Sequence, residues 1–269
     1  MKLSIVTVCY NAEACIDKTI KSILNQTLPI YEYIVIDGAS NDATYSHVCS
    51  YDSDFKEKGI IFKHISEPDR GISDAFNKGI QMATGDIIGL INADDELTEN
   101  ANEILNEIIE NNQADIYYGN CLWIDNDRNM EYIRKPSTKL NKLLYNMVLI
   151  HPSTFVKKEA YNKCGLFDIT YKLCMDKELL YRMYKSEMKF VYIDEILSKM
   201  ASGGVSDTNI KAVYKEGSRM ALSYGEPFLK AKAIEIKKTI RNRIVTQLKH
   251  TLVFRKIKIV EMHKDGVIV

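Results

Sequence analysis

The chain has 269 residues, 46% hydrophobic and 27% charged, a balance typical of a soluble globular protein that excludes disorder as its main state. Lysine plus arginine total 36 and aspartate plus glutamate total 36, so the zero net charge excludes a whole-molecule field suited to nucleic acid, and any electrostatic function is local. Neither a collagen-like stretch nor a transmembrane helix fits the 13 glycines, five prolines and short apolar runs, and Lys2 followed by apolar residues only from Leu3 to Cys9 is no secretory signal; the expected location is the cytoplasm.

Leu3 to Tyr10 is apolar and β-branched at nearly every position, as in a strand buried on both faces of a parallel sheet. Ile16, Ile20, Ile23 and Leu24 then recur at helical spacing until Pro29. Tyr33 to Ile36 is a second strand, closed by Asp37-Gly38-Ala39-Ser40-Asn41-Asp42, a polar cluster that turns the chain and caps a helix from about Asp42. Strand and helix go on alternating: Ile60 to Ile65, Gly71 to Ala83, Ile87 to Ile91, Thr98 to Asn111, then a strand over residues 115 to 119. This order predicts an open, mainly parallel α/β sheet with helices on both faces, whose ligands sit beyond the carboxyl ends of strands.

After residue 120 the order becomes mixed. Leu122 to Ile124 and Met130 to Ile133 flank Asp125-Asn126-Asp127-Arg128 as a hairpin, and Ser153 to Val156 and Lys189 to Ile193 read as short strands. From residue 207 a helix is expected to the mid-250s. The six cysteines, without any C-x-x-C spacing, read as small buried hydrophobes rather than a zinc cage or disulfide framework.

The sharpest local feature is Asn92-Ala93-Asp94-Asp95, directly after a buried strand. Two adjacent carboxylates repel unless neutralised, and their hard oxygens suit Mg2+ or Mn2+; a solvated turn capping the next helix explains an isolated pair equally well. Asp37 ends the second strand, where it suits either a nucleobase N–H or a helix cap. Glu67-Pro68-Asp69-Arg70-Gly71 ends the third, with Asp74, Asn77 and Lys78 following, and Arg70 and Lys78 fit either a diphosphate or a surface ion-pair cluster.

Five segments in order, Ser4 to Asn11, Ile36 to Thr44, Asn77-Lys78-Gly79, Gly85 to Ile88 and Asn92 to Asp95, make the chain resemble glycosyltransferase family 2, enzymes of the GT-A type, in its bacterial surface-polysaccharide subgroup. The resemblance spans roughly residues 1 to 205. It implies a GT-A catalytic domain over 1–206, with a nucleotide-sugar half (1–120) and an acceptor half (121–206), followed by a basic helical extension (207–269). It implies a donor site drawn from Thr7, Tyr10, Asn11, Asp37, Asp69, Arg70, Asn77, Lys78, Asn92, Ala93, Asp95 and His151, with Asp37 on the uracil. The metal, Mn2+ or Mg2+, falls to Asp94, shared with Asp95; Asn92 stands where the family more often has Asp. The general base falls to Asp176 in Cys174-Met175-Asp176-Lys177-Glu178, with Glu178 as the fallback and Met175 replacing the usual preceding acid. Read alone, Asp176 is a dipole-favoured acid opening a helix, and His151 is a satisfied imidazole in a turn. Ser202-Gly203-Gly204-Val205-Ser206 is similar to a late glycine segment of the subgroup and reads as a lid or an ordinary turn.

The reaction so implied is inverting transfer of a hexose from a UDP-sugar to a hydroxyl of a lipid-diphosphate-linked saccharide, in assembly of a bacterial O-antigen, capsule or exopolysaccharide. The alternative is a catalytically silent nucleotide-sugar-binding or assembly subunit on the same scaffold. Residues 230–258 hold ten basic residues against Glu235, with Ile236, Ile240, Ile244 and Leu248 spaced by four. Such a helix lies on anionic membrane at the inner face of the cytoplasmic membrane, or packs on the catalytic domain or a second subunit of a homo-oligomer.

Overall fold

In a computed structural model, residues 1–125, 130–203 and 209–249 are described. The centre is one mixed sheet in the order β3-β2-β1-β4-β8-β6-β9-β5, with β7 added on β6. Its first half is parallel: β1 (Leu3–Cys9) lies between β2 (Glu32–Asp37) and β4 (Ile87–Asn92), and β3 (Ile61–Ser66) extends beyond β2. Between these strands run α1 (Ile16–Leu24), α2 (Thr44–Ser50), α3 (Asp52–Glu57) and α4 (Ile72–Met82). The alternation therefore places the ends of β1, β2, β3 and β4 along one edge.

Side-chain alternation divides the core. Val6, Val8, Ile34, Ile36, Ile88 and Leu90 face α4 and the later helices; Leu3, Ile5, Tyr33, Val35, Ile87 and Ile91 face α1 and α5 (Ala101–Asn111). Gly79 on α4 lets that helix sit against β1, since a Cβ there would stand 2.2 Å from Val6 Cγ1.

The second half mixes directions. β6 (Ile116–Asp125) runs antiparallel to β8 (Thr154–Lys157) and to β7 (Met130–Arg134), and parallel to β9 (Phe190–Ala201). Here the structure departs from the sequence expectation. The strands expected at 115–119 and 122–124 are one continuous β6, and β9 continues well past Ile193 with irregular register opposite Gly119 to Cys121. The short β5 (Glu96–Leu97), which pairs with β9, was not expected. The hairpin turn residues 126–129 lie outside the described residues.

α6 (Lys158–Cys164) and α7 (Met175–Lys185) cover the face lined by α4. The single C-terminal helix expected from residue 207 is two helices, α8 (Ile210–Ser223) and α9 (Phe228–Lys249). Gly225 at φ 84 takes the left-handed conformation that ends α8, and Pro227 precedes α9. Met220, Ala221 and Ala231 bury this pair against the core. The six cysteines are free, three of them buried. Among the described residues no helix is long and apolar enough to cross a membrane.

Candidate active site

A cavity of about 1030 Å³ opens beyond the carboxyl ends of β1 and β4 and is roofed by the segment 142–151, the start of α7, and faces of α8 and α9. Its floor is built by loops that tie one another down. Asn11 has φ 50; its N–H donates to Ser40 Oγ (2.8 Å), and its Oδ1 accepts from the Asn41 N–H (2.9 Å). Tyr10 is exposed beside it. Gly38 has no side chain because Asp69 occupies the space: a Cβ would lie 2.6 Å from Asp69 Oδ2. Asp69 Oδ1 accepts the Gly71 N–H (2.7 Å), which holds its carboxylate at the cavity wall.

The turn after β4 supplies the acids. Thr19 Oγ1 lies 2.7 Å from the carbonyls of both Ala93 and Asp95 and pins the turn to α1. Asn92 Nδ2 donates to Asp95 Oδ2 (2.8 Å), while Asn92 Oδ1 is buried without a hydrogen-bond partner. Asp94 is exposed and Asp95 buried, and both line the cavity. Burial, then the charge of Asp94, push the Asp95 pKa up to about 7, against the lowering effect of Asn92. An orphaned amide oxygen beside two carboxylates is an oxygen-rich donor set that suits Mg2+ or Mn2+. Among the described residues no group of three or more His, Cys, Asp or Glu is arranged as a closed metal cage, so phosphate and water would complete the coordination.

Asp176 lines the same cavity from the first turn of α7, where its Oδ1 accepts the Lys177 N–H (2.7 Å). His151 also lines the cavity, its ring edge-on to Phe76 (5.5 Å) and Phe167 (6.3 Å). Burial holds the imidazole below its ordinary pKa while the charge of Asp176 pulls it the other way. Met175, where an acid was the more usual residue, is buried with its sulfur 2.8 Å from Ser73 Oγ.

Several residues singled out in the sequence are placed elsewhere. Asp37 is 0% exposed and does not line the cavity; Ser40 N–H (3.0 Å), Ser40 Oγ (2.5 Å) and Ser66 Oγ (2.5 Å) all donate to its carboxylate. It braces the loops that carry Asn11, and contact with a base would require those serines to release it. Thr7 is buried and accepts from Tyr33 (3.0 Å). Asn77 exchanges hydrogen bonds with the backbone of Phe167, Lys78 pairs with Glu67 (2.7 Å), and Arg70 pairs with Asp74 (2.8 Å). None of these four faces the cavity. Short-range spacing identified their type of chemistry but not the direction their side chains take. Glu178 points away as well: Arg182 (2.8 Å) and the Tyr224 hydroxyl (2.7 Å) donate to its buried carboxylate, which excludes it as the fallback base in this conformation. Residues 204–206 of the glycine segment lie outside the described residues.

The sequence did not foretell the cations that line the cavity. Lys177, Lys238, Lys142 and Arg241 line it, together with Ser218 and Tyr214. The signal in the sequence was the run of basic residues on the last helix, for which membrane contact and packing on the catalytic domain or a second subunit were both expectations.

The profile of the family described as glycosyl transferase family 2 matches residues 4–168. A "PGL/p-HBAD biosynthesis glycosyltransferase" of Mycobacterium tuberculosis is 23% identical over 227 residues, covering 82% of this chain and 86% of the relative. Glycosyltransferase GlyA of Streptococcus pneumoniae is 26% identical, covering 73% of this chain and 30% of its own length. Among solved structures, S. aureus TarS 1-349 in complex with UDP-GlcNAc superimposes with a TM-score of 0.63 at 16% identity, covering 89% of this chain and 72% of that one. The mannosyltransferase PcManGT from Pyrobaculum calidifontis, in complex with GDP-Man and Mn2+, gives 0.64 at 15% identity, over 97% and 79%. The fold is thus that of GT-A enzymes, and the chain belongs to glycosyl transferase family 2 as a glycosyltransferase.

Proposed function

We propose that this glycosyltransferase moves a hexose from a UDP-sugar to a hydroxyl of a saccharide acceptor with inversion, in assembly of a bacterial surface polysaccharide. The observation that carries the reading is that Asp94 and Asp176, far apart in the chain, line one cavity. The nucleotide sugars bound by TarS and PcManGT support a nucleotide-sugar donor over the first half of the chain, residues 1–120, with the acceptor received by 121–206 and the helices beyond.

In this reading Tyr10, Asn11 and Asp69 hold the nucleoside end, and Asp94, with Asn92 and Asp95, holds Mn2+ or Mg2+ at the donor pyrophosphate. A divalent cation bound there supplies Lewis-acid stabilisation of the charge that builds on the departing phosphate. Asp176 takes the proton of the acceptor hydroxyl on its Oδ2, since Oδ1 is engaged by Lys177 N–H. A placed base of this kind contributes about 10²- to 10⁴-fold. Attack from the side of α7, opposite the pyrophosphate, inverts the anomeric centre. His151, kept largely neutral by burial, orients groups between the two sides.

The outer face of α9 supports contact with an anionic membrane at the cytoplasmic leaflet. Ile236, Ile240 and Ile244 are 57%, 51% and 50% exposed, flanked by Lys237 and Arg243. A second copy of the chain in a homo-oligomer is the other occupant of that stripe. The basic residues at 255–258 lie outside the described residues.

UDP release with a lipid-diphosphate sugar acceptor, with and without Mn2+, tests the reading. Turnover that requires acceptor and metal together supports it; donor binding without turnover under every condition supports the silent-subunit alternative instead.

A further inference from the structure

We infer that Lys177, Ser218 and Lys238 form a subsite for a phosphate group of the acceptor, separate from the site of the donor pyrophosphate. The inference rests on the transferase reading for the word acceptor; the anion site itself rests on surplus positive charge inside the cavity.

Lys177 is 5% exposed and lines the cavity, and among the described residues it has no carboxylate at ion-pair distance. Its ammonium lies over α8, where Gly217 leaves the room: a Cβ there would stand 2.9 Å from Lys177 Nζ. Lys238 reaches the same space from α9. It donates one hydrogen bond to the Tyr145 carbonyl, leaving two N–H groups, and its Nζ is 5.8 Å from the Tyr214 ring centroid. Burial, then the charge of Lys177, lower the Lys238 pKa to about 8, as befits two cations facing one desolvated space.

Two of the acids nearby are already spent, while Asp176, beside Lys177 in the first turn of α7, lines the same cavity. Glu216 accepts the backbone N–H groups of Lys172 (2.8 Å), Leu173 (2.6 Å) and Cys174 (2.6 Å), and Glu235 pairs with Lys232 (2.7 Å). Buried cations left unpaired are costly unless an anion arrives. A second, independent observation marks the place: Ser218, 5% exposed and lining the cavity, has a buried Oγ with no hydrogen-bond partner. A hydroxyl donor and two ammonium groups match the oxygens of a phosphate. The donor end of the same cavity carries Asp69, Asp94 and Asp95 and repels a second anion unless a cation neutralises it. Charge therefore favours separate places for the two phosphate groups.

The test is titration of inorganic phosphate by calorimetry onto the full chain saturated with UDP and Mg2+. One phosphate is expected to bind with UDP in place, Lys238→Gln to weaken it at least tenfold, Ser218→Ala about threefold, and Lys238→Arg to restore most of the affinity, with UDP affinity within twofold throughout. Loss of phosphate binding on UDP saturation, or unchanged affinity in Lys238→Gln, overturns the subsite, and neither result depends on turnover. With transfer as the readout, Lys238→Gln is expected to raise KM for a diphosphate-linked acceptor at least tenfold and for the uncharged glycoside less than twofold. Equal rises for both acceptors overturn the assignment to the acceptor's phosphate.

Discussion

Asp94 and Asp95 are neighbours in sequence and opposites in surroundings: one open to the cavity, the other buried and held by Asn92. Under the proposed function that difference would assign the metal to Asp94, with Asp95 and the unpaired Asn92 Oδ1 as its supports. Asp94→Ala is expected to abolish the Mn2+-dependent part of UDP binding, so that calorimetry with and without Mn2+ gives the same weak affinity; a wild-type gain on adding Mn2+ contradicts the role. Glu178, two residues from Asp176, does different work. Its carboxylate joins Arg182, which also donates to the Cys164 and Leu166 carbonyls, to Tyr224 at the end of α8. Glu178→Gln is expected to cost about 1.5–3 kcal/mol of stability, read by urea unfolding, with transfer per folded molecule nearly unchanged. Loss of transfer at full stability would return the base to Glu178.

At the scale of elements, Glu32 links the parallel strands. From β2 it accepts from Ser4 on β1 (2.6 Å), Lys63 on β3 (2.5 Å) and both the N–H (2.8 Å) and hydroxyl (2.9 Å) of Thr84 ahead of β4. Burial pushes its pKa up, but these donors outweigh burial and hold it below the ordinary carboxylate value. Because the folded value is lowered, the contribution is complete above the unfolded pKa of about 4.5 and is lost as pH falls through the folded one. Glu32→Gln is expected to be less stable than wild type by about 1.5–3 kcal/mol at pH 7, with the gap closing at acid pH; a gap independent of pH contradicts the charge-based account.

Elements of this kind were legible where local periodicity decides them. Val6 and Val8 against Ile5 and Cys9, or Ile72, Phe76 and Ile80 on α4, carry their burial in their spacing. Other parts depend on distant partners. The continuation of β9 through Asp194 and Glu195 follows from pairing with β6, where Asp194 accepts from Lys135 (2.7 Å) and Asn120 (2.9 Å). Similarly, the type of residue at strand ends marked the site region, while the burial of Asp37 depends in part on Ser66, 29 residues away, which no local spacing connects to it.

At the scale of the molecule, α9 has two faces with two environments. Ala231, Ile234 and Lys238 turn toward the cavity, and Ile236, Ile240 and Ile244 turn to solvent. Under the proposed function a helix so placed would bring an acceptor anchored in lipid to the cavity it roofs. Cosedimentation with vesicles containing phosphatidylglycerol is expected at low salt, to fall at least fivefold in Ile240→Glu and to vanish with neutral phosphatidylcholine. Equal binding to both lipids contradicts the electrostatic part.

The fold brings the end of β4 and the start of α7 to one cavity, and the proposed function assigns donor holding and proton removal to separate acids there. Comparison of Asp176→Asn with wild type in the UDP-release assay, with UDP affinity measured on the same samples, tests this division most directly. Turnover is expected to fall by two to four orders of magnitude with UDP affinity unchanged. Turnover near wild type, or a parallel loss of UDP affinity, would contradict it.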